Sequence, residues 1–254
     1  MPDALPRFGD RRGTRIGLLG GSFNPAHEGH RHVANLALKQ LRLDQVWLMV
    51  SPGNPLKPAA GMAPLAQRLA SAQSVGGRRL GDGHLGDGHL GDRRIGDGGV
   101  GGRRRVIATA IEASFGTRYS VDTLRMLRRR FRRAKFVWIM GADLLTELPR
   151  WRRWRSIVAD LPFAVLPRPG FTRRALAGQA ARCLRSGRRP AHEAPVLAGS
   201  RSGWVFLPTR QNPTSATAIR LARNATTVTN ATTVTNTTTA IDATALINTN
   251  ALIQ

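Results

Sequence analysis

The chain has 254 residues, room for one medium α/β domain with some decoration. Its 39 Lys+Arg outweigh 15 Asp+Glu to give a formal charge of +24, a field that attracts nucleotides, phosphorylated metabolites or nucleic acid, although an arginine-rich composition by itself produces the same number. No apolar run reaches the length of a membrane span, the opening MPDALPRFGDRRGTR has no apolar core of a secretion signal, and the single cysteine, Cys183, cannot form an intrachain disulfide, so a cytoplasmic protein is expected.

Residues 1–14 read as a flexible N-terminus. RIGLLGG at 15–21 is a short apolar run ended by glycines, the pattern of a buried strand. HRHVANLALKQL at 30–41 places Val33, Ala34, Ala37, Leu38 and Leu41 on one helical face. A second buried strand follows at 44–52, stopped by Pro52, and then a helical pattern at 64–73. Residues 78–102 are a pentapeptide array, RRLGD, GHLGD, GHLGD, RRIGD, GGVGG. One aliphatic residue per unit is too little apolar surface to offset the entropy of ordering glycine-rich backbone, so a flexible surface loop is expected, in preference to a metal site at His84 and His89.

A helix is predicted over 120–131 with Ser120 as its N-cap, then a buried strand at 135–143. Strands at 163–170 and 204–208 flank one helix over 172–187, and a helix at 215–224 closes the core. Residues 225–254 repeat every six residues (ATTVTN, ATTVTN, TTTAID, ATALIN, TNALIQ) with too few apolar groups for a stacked solenoid, so a disordered tail is expected. Strands apolar on both faces that alternate with helices imply a Rossmann-like, doubly wound parallel sheet, here a single domain over 15–224 interrupted at 78–102. Ligands of such sheets sit outside the carboxyl ends of the strands, so the residues after Leu19, Val50, Met140 and Leu207 should line the site.

The first of these ends carries GGSFNPAHEGH, residues 20–30. Gly20 and Gly21 permit close backbone approach. His27 and His30 fall at the start of the next helix, beside unpaired backbone N–H groups and the positive end of the helix dipole, a site for phosphate oxygens.

GGSFNPAHEGH resembles the signature of the nucleotidyltransferase superfamily with an HxGH motif, and more narrowly that of bacterial nicotinate-nucleotide adenylyltransferases. Four further blocks follow in that family's order: SPGNPLKP at 51–58, RYSVDTL at 118–124, WIMGADLLTELPRWRRW at 138–154 and TSATAIR at 214–220. The resemblance covers residues 15–222; the array and the tail have no counterpart in it. It implies transfer of AMP from ATP to nicotinate mononucleotide, with Mg²⁺ carried by the ATP phosphates and no protein metal cage. The ATP side would comprise Gly20, Gly21, Ser22, Phe23, His27, His30, Ser215, Thr217 and Arg220. His27, His30, Lys57 and Arg220 would bear on the reacting phosphates. The mononucleotide would meet Asn24, Lys57, Ser120, Asp143, Trp151 and Arg152, with Trp151 stacking on the pyridine ring. Nicotinamide mononucleotide and phosphopantetheine are alternative acceptors, and a basic nucleic-acid binder without catalysis is the rival of a different class. The array is also a potential cover over the site. The sequence leaves the oligomeric state open.

Overall fold

The computed structural model describes residues 13–53, 61–77, 105–210, 216–217 and 219–221. The array at 78–102, the tail at 225–254, Lys57 and Ser215 lie outside the described residues. The chain divides into two units, residues 1–213 and 214–254. The first holds a seven-stranded sheet in the order β3-β2-β1-β4-β5-β7-β6. Its strands are β1 (Arg15–Gly21), β2 (Gln45–Val50), β3 (Val106–Thr109), β4 (Lys135–Gly141), β5 (Phe163–Leu166), β6 (Arg188–Arg189) and β7 (Trp204–Phe206), and every pairing is parallel. Helices α1 (Glu28–Gln40), α2 (Leu65–Gly77), α3 (Ile111–Ser114), α4 (Ser120–Arg130), α5 (Ala142–Glu147), α6 (Trp154–Asp160), α7 (Thr172–Leu176) and α8 (Gln179–Cys183) connect them.

The two-residue period of each strand sorts its apolar side chains into two cores. Ile16, Leu18, Trp47, Met49, Trp138 and Met140 face one layer, which includes Val121 and Leu124 of α4. Leu19, Leu48, Val50, Val137 and Ile139 face the other, with Ala34, Ala37 and Leu38 of α1. Burial on both faces makes these strands uninterrupted apolar runs. The strand order reverses beside β1: β2 and β3 extend one way, β4 and β5 the other. The crevice at that switch, past the carboxyl ends of β1 and β4, is where a doubly wound sheet places its ligand. Among the described residues no helix is long and apolar enough to cross a membrane.

Several boundaries differ from the sequence expectation. The 135–143 strand ends at Gly141, and Asp143 lies in the first turn of α5. The 163–170 strand ends at Leu166, which leaves Arg168 beyond the sheet. The helix expected over 172–187 is two short helices separated at Gly178, where any Cβ would come within 3.1 Å of the Arg174 carbonyl oxygen and 3.2 Å of that of Ala175. Ser120 is the first helical residue rather than the cap; Tyr119 caps α4 and makes no side-chain bond in doing so. β3 and β6 have no counterpart in the sequence reading.

Gly17, at the centre of β1, is a packing requirement. A Cβ there would lie 2.5 Å from Ile139 Cδ1 and 2.7 Å from Leu43 Cδ1. Gly17→Ala should therefore cost about 1–3 kcal/mol by overpacking, read as a lowered midpoint in denaturant with an unchanged slope.

Candidate active site

The turn after β1 is built from buried groups. Phe23 is 1% exposed and holds a left-handed backbone with φ 47°, a conformation that costs a non-glycine residue about 1–2 kcal/mol and that its burial maintains. A cis peptide bond joins Asn24 to Pro25. The Asn24 side chain donates from Nδ2 to the Gly61 carbonyl at 2.8 Å and accepts from the Ala63 N–H at 3.2 Å. The sequence reading put Asn24 against the mononucleotide; here its amide ties the turn to the segment ahead of α2.

His27 and His30 cap α1 reciprocally. His27 is the N-cap, and its Nδ1 accepts the Gly29 N–H at 3.1 Å. His30 Nδ1 accepts the His27 N–H at 3.2 Å. This is the capping-box arrangement carried out by imidazoles. With Nδ1 an acceptor in both rings, Nε2 carries the proton of the neutral form. The ring centroids are 4.0 Å apart, and Phe23 lies 4.7 Å from His30. Burial lowers the pKa of His27, and the Arg168 charge lowers it further. Burial, His27 and Arg168 together push His30 down to about 3. Both rings are therefore neutral N–H donors at physiological pH.

Arg168 was not anticipated, because the sequence reading ran β5 through it. Its Nε lies 3.7 Å from Asp143 Oδ2, with both side chains part-exposed. Gly141 makes room for this pair, since a Cβ there would fall against Asp143 Oδ1. Asp143 is thus placed opposite an arginine at the mouth of the switch crevice.

A cleft opens at the β1 turn. Gly20, Gly21 and Ser22 line it, as do Ser51 and Gly53 after β2 and Leu144 after β4, so three of the four expected strand ends contribute. Among the described residues, nothing after Leu207 lines it. Ser120, Trp151 and Arg152 share this cleft. Trp151 packs against Trp138 with centroids 5.4 Å apart, and its Nε1–H is the one buried side-chain polar atom among the described residues without a partner. The Arg152 guanidinium lies over the Tyr119 ring at 4.7 Å. Glu112 also lines the cleft; burial pushes its carboxyl up, and a hydrogen bond with the Ser51 side chain opposes the shift. Glu112 was missed with β3: a carboxylate just past a buried strand is the signal that would have found it. Thr217 and Arg220 belong to the second unit, where Arg220 donates from Nη2 to Thr217 Oγ1 at 3.2 Å.

The histidine pair has a measurable consequence. Below about pH 6.5 the unfolded chain takes up a proton that folded His30 refuses. Stability from this residue is therefore present above pH 6.5 and lost as pH falls toward about 3. The His30 ring resonances should stay at their neutral positions from pH 8 to pH 5, as roughly expected from so large a depression, whereas an ordinary histidine titrates through that range. Denaturation midpoints of His30→Asn should fall less steeply with acid than those of the parent.

Comparison with known proteins agrees with this geometry. Residues 18–222 match the family model described as cytidylyltransferase-like. A Gluconacetobacter diazotrophicus protein named "Probable nicotinate-nucleotide adenylyltransferase" is 52% identical over 219 residues, 85% of this chain and 90% of that one. A Gluconobacter oxydans protein of the same name is 53% identical over 207 residues, 81% and 93% of the two chains. Among solved structures, the Plasmodium falciparum nicotinic acid mononucleotide adenylyltransferase complexed with NaAD superposes with a TM-score of 0.55 over 82% of each chain at 13% identity, a likeness of fold alone. The chain belongs to the cytidylyltransferase-like family and, within it, to the nicotinate-nucleotide adenylyltransferases.

Proposed function

We propose that this protein transfers AMP from ATP to nicotinate mononucleotide, releasing pyrophosphate and deamido-NAD. The reading rests most directly on one observation: a pair of neutral imidazole donors at a helix N-terminus beside a cleft with an indole wall and a hydroxyl-bearing helix start. The mononucleotide's phosphate oxygen forms a bond to the α-phosphorus of ATP, and the bond from that phosphorus to the bridging oxygen of pyrophosphate breaks. Neither partner needs a protein nucleophile, so the protein's work is positioning and stabilisation of charge on phosphoryl oxygens.

Each residue has a part in this reading. Gly20, Gly21 and Ser22 bring backbone close to the triphosphate, and His27 and His30 donate from Nε2 to its oxygens. Such donors act on the oxygen that gains charge without adding a proton to it. Arg168 supplies a positive charge beside them. Lys57, Ser215, Thr217 and Arg220 are assigned to the phosphates by the resemblance of their sequence blocks alone. Trp151 offers its indole face to the pyridine ring, an electron-poor partner suited to it. Ser120, Arg152 and the backbone N–H groups near them meet the nicotinate carboxylate. Glu112, whose carboxyl burial pushes up, lines the same cleft. Asp143 holds Arg168 in place and is in position to accept from a ribose hydroxyl.

Mg²⁺ belongs to this reading as a neutraliser of phosphate charge, held by the triphosphate oxygens and water. The donor chemistry fits that mode of binding, since the Asp143 carboxylate already faces an arginine. The reaction is placed in the cytoplasm, where both substrates and a reduced Cys183 are at home.

The test is pyrophosphate release with ATP and Mg²⁺, run with nicotinate mononucleotide and, in parallel, nicotinamide mononucleotide. Release with the acid is expected, and His30→Ala should lower kcat by about 10²–10³, the cost of one oriented donor to a developing oxyanion. Preference for the amide would keep the reaction and discard the Ser120 and Trp151 assignment. Folded protein that turns over neither acceptor, yet binds nucleic acid in a strongly salt-dependent way, would replace this reading with a basic binder.

A further inference from the structure

α2 buries an arginine that no motif accounts for. Arg68 is 2% exposed. Its guanidinium donates from Nε to the Ala63 carbonyl at 2.8 Å, from Nη1 to Ser22 O at 2.8 Å and Ser51 O at 2.7 Å, and from Nη2 to Pro52 O at 3.2 Å. All of its partners are neutral carbonyls. Burial without a carboxylate is a costly way to keep a cation, and desolvation lowers the pKa of the group accordingly. What it gains in return is geometric.

The β1–β2 ladder ends with the Ser51 N–H donating to Gly21 O at 3.0 Å. Immediately beyond, Ser22 and Ser51 diverge into the two turns that line the cleft. One nitrogen, Nη1, bonds both of their carbonyl oxygens, so it takes over where the sheet stops. The other arms fasten the same fork to Pro52 and to the segment ahead of α2. We propose that Arg68 is a positioning residue that fixes the separation between the ATP turn at Ser22 and the acceptor wall at Ser51. The proposal rests on the reading given under Proposed function, in which Ser22 serves the triphosphate and the cleft that Ser51 also lines receives the mononucleotide. An in-line displacement tolerates little error in that separation, and a displacement near 1 Å can cost about a hundredfold in rate. Lysine cannot substitute, because its donors radiate from a single nitrogen and cannot spread over four carbonyls on three segments.

The experiment compares the full-length protein with Arg68→Lys and Arg68→Gln. Each subsite is built locally, so the affinity for a non-hydrolysable ATP analogue alone, and for nicotinate mononucleotide alone, should stay within about threefold, while kcat falls by about tenfold to a hundredfold, the signature of lost register. A kcat within about twofold of the parent overturns the proposal, as does a joint loss of both affinities with kcat, which would mark general loosening. Failure of both variants to fold makes Arg68 a folding residue and overturns it as well. Should the parent protein itself release no pyrophosphate, the functional reading falls. The tether is then decided by amide hydrogen exchange: joint loss of protection at Ser22–Asn24 and Ser51–Gly53 in Arg68→Lys supports it, and unchanged protection at either turn sinks it.

Discussion

β1 is paired on both edges and covered on both faces, and this single confinement organises the rest of the molecule. Its N–H and C=O groups are satisfied by β2 on one side and β4 on the other. Its side chains divide between two dry cores, and at Gly17 a hydrogen replaces a side chain because Ile139 and Leu43 already fill the space. A strand so enclosed can expose polar backbone only at its ends. The carboxyl end, with neighbours departing in opposite directions, is where Gly20–Ser22 emerge and where His27 and His30 cap the helix that follows.

The electrostatics at that end divide the work between neutral and charged groups. A region this basic would lose little by adding two more cations, yet the two histidines are held neutral by burial and by Arg168, and His30 by His27 as well. Their Nδ1 atoms serve the helix cap, so the same hydrogen bonds that terminate α1 also orient Nε2. The cap thus occupies one nitrogen of each ring and leaves the other out of it. Charge is left to arginine, which keeps it at any physiological pH.

Much of this was legible in the sequence. The strands β1, β2 and β4 were visible as apolar runs too short for helices, and GGSFNPAHEGH stood out as a glycine- and histidine-bearing turn after the first of them. The losses came from weak or tertiary signals. β3 is four residues long and follows the array, and β6 is Arg188–Arg189, which carries no apolar pattern and is a strand only because β7 lies beside it. Each lost boundary hid a polar residue: Glu112 disappeared with β3, and Arg168 was absorbed into an overlong β5. Arg68 falls inside the helical pattern at 64–73 with nothing in the sequence to mark it, and only the arrangement of four carbonyls around it distinguishes it.

The spacing of glycine and aspartate in Gly141-Ala142-Asp143 illustrates how a motif can be one physical object. The carboxylate of Asp143 folds back over the position where residue 141 would carry a Cβ, and from there it faces Arg168. Any side chain at 141 evicts the carboxylate, and an evicted carboxylate releases the arginine that helps keep the histidines uncharged. The absence of a methyl group at the end of β4 is in this sense a part of the proton inventory of a helix cap on another strand. Residues 141, 143 and 168 should therefore vary together or not at all among relatives, and a change at one is interpretable only with the other two in view.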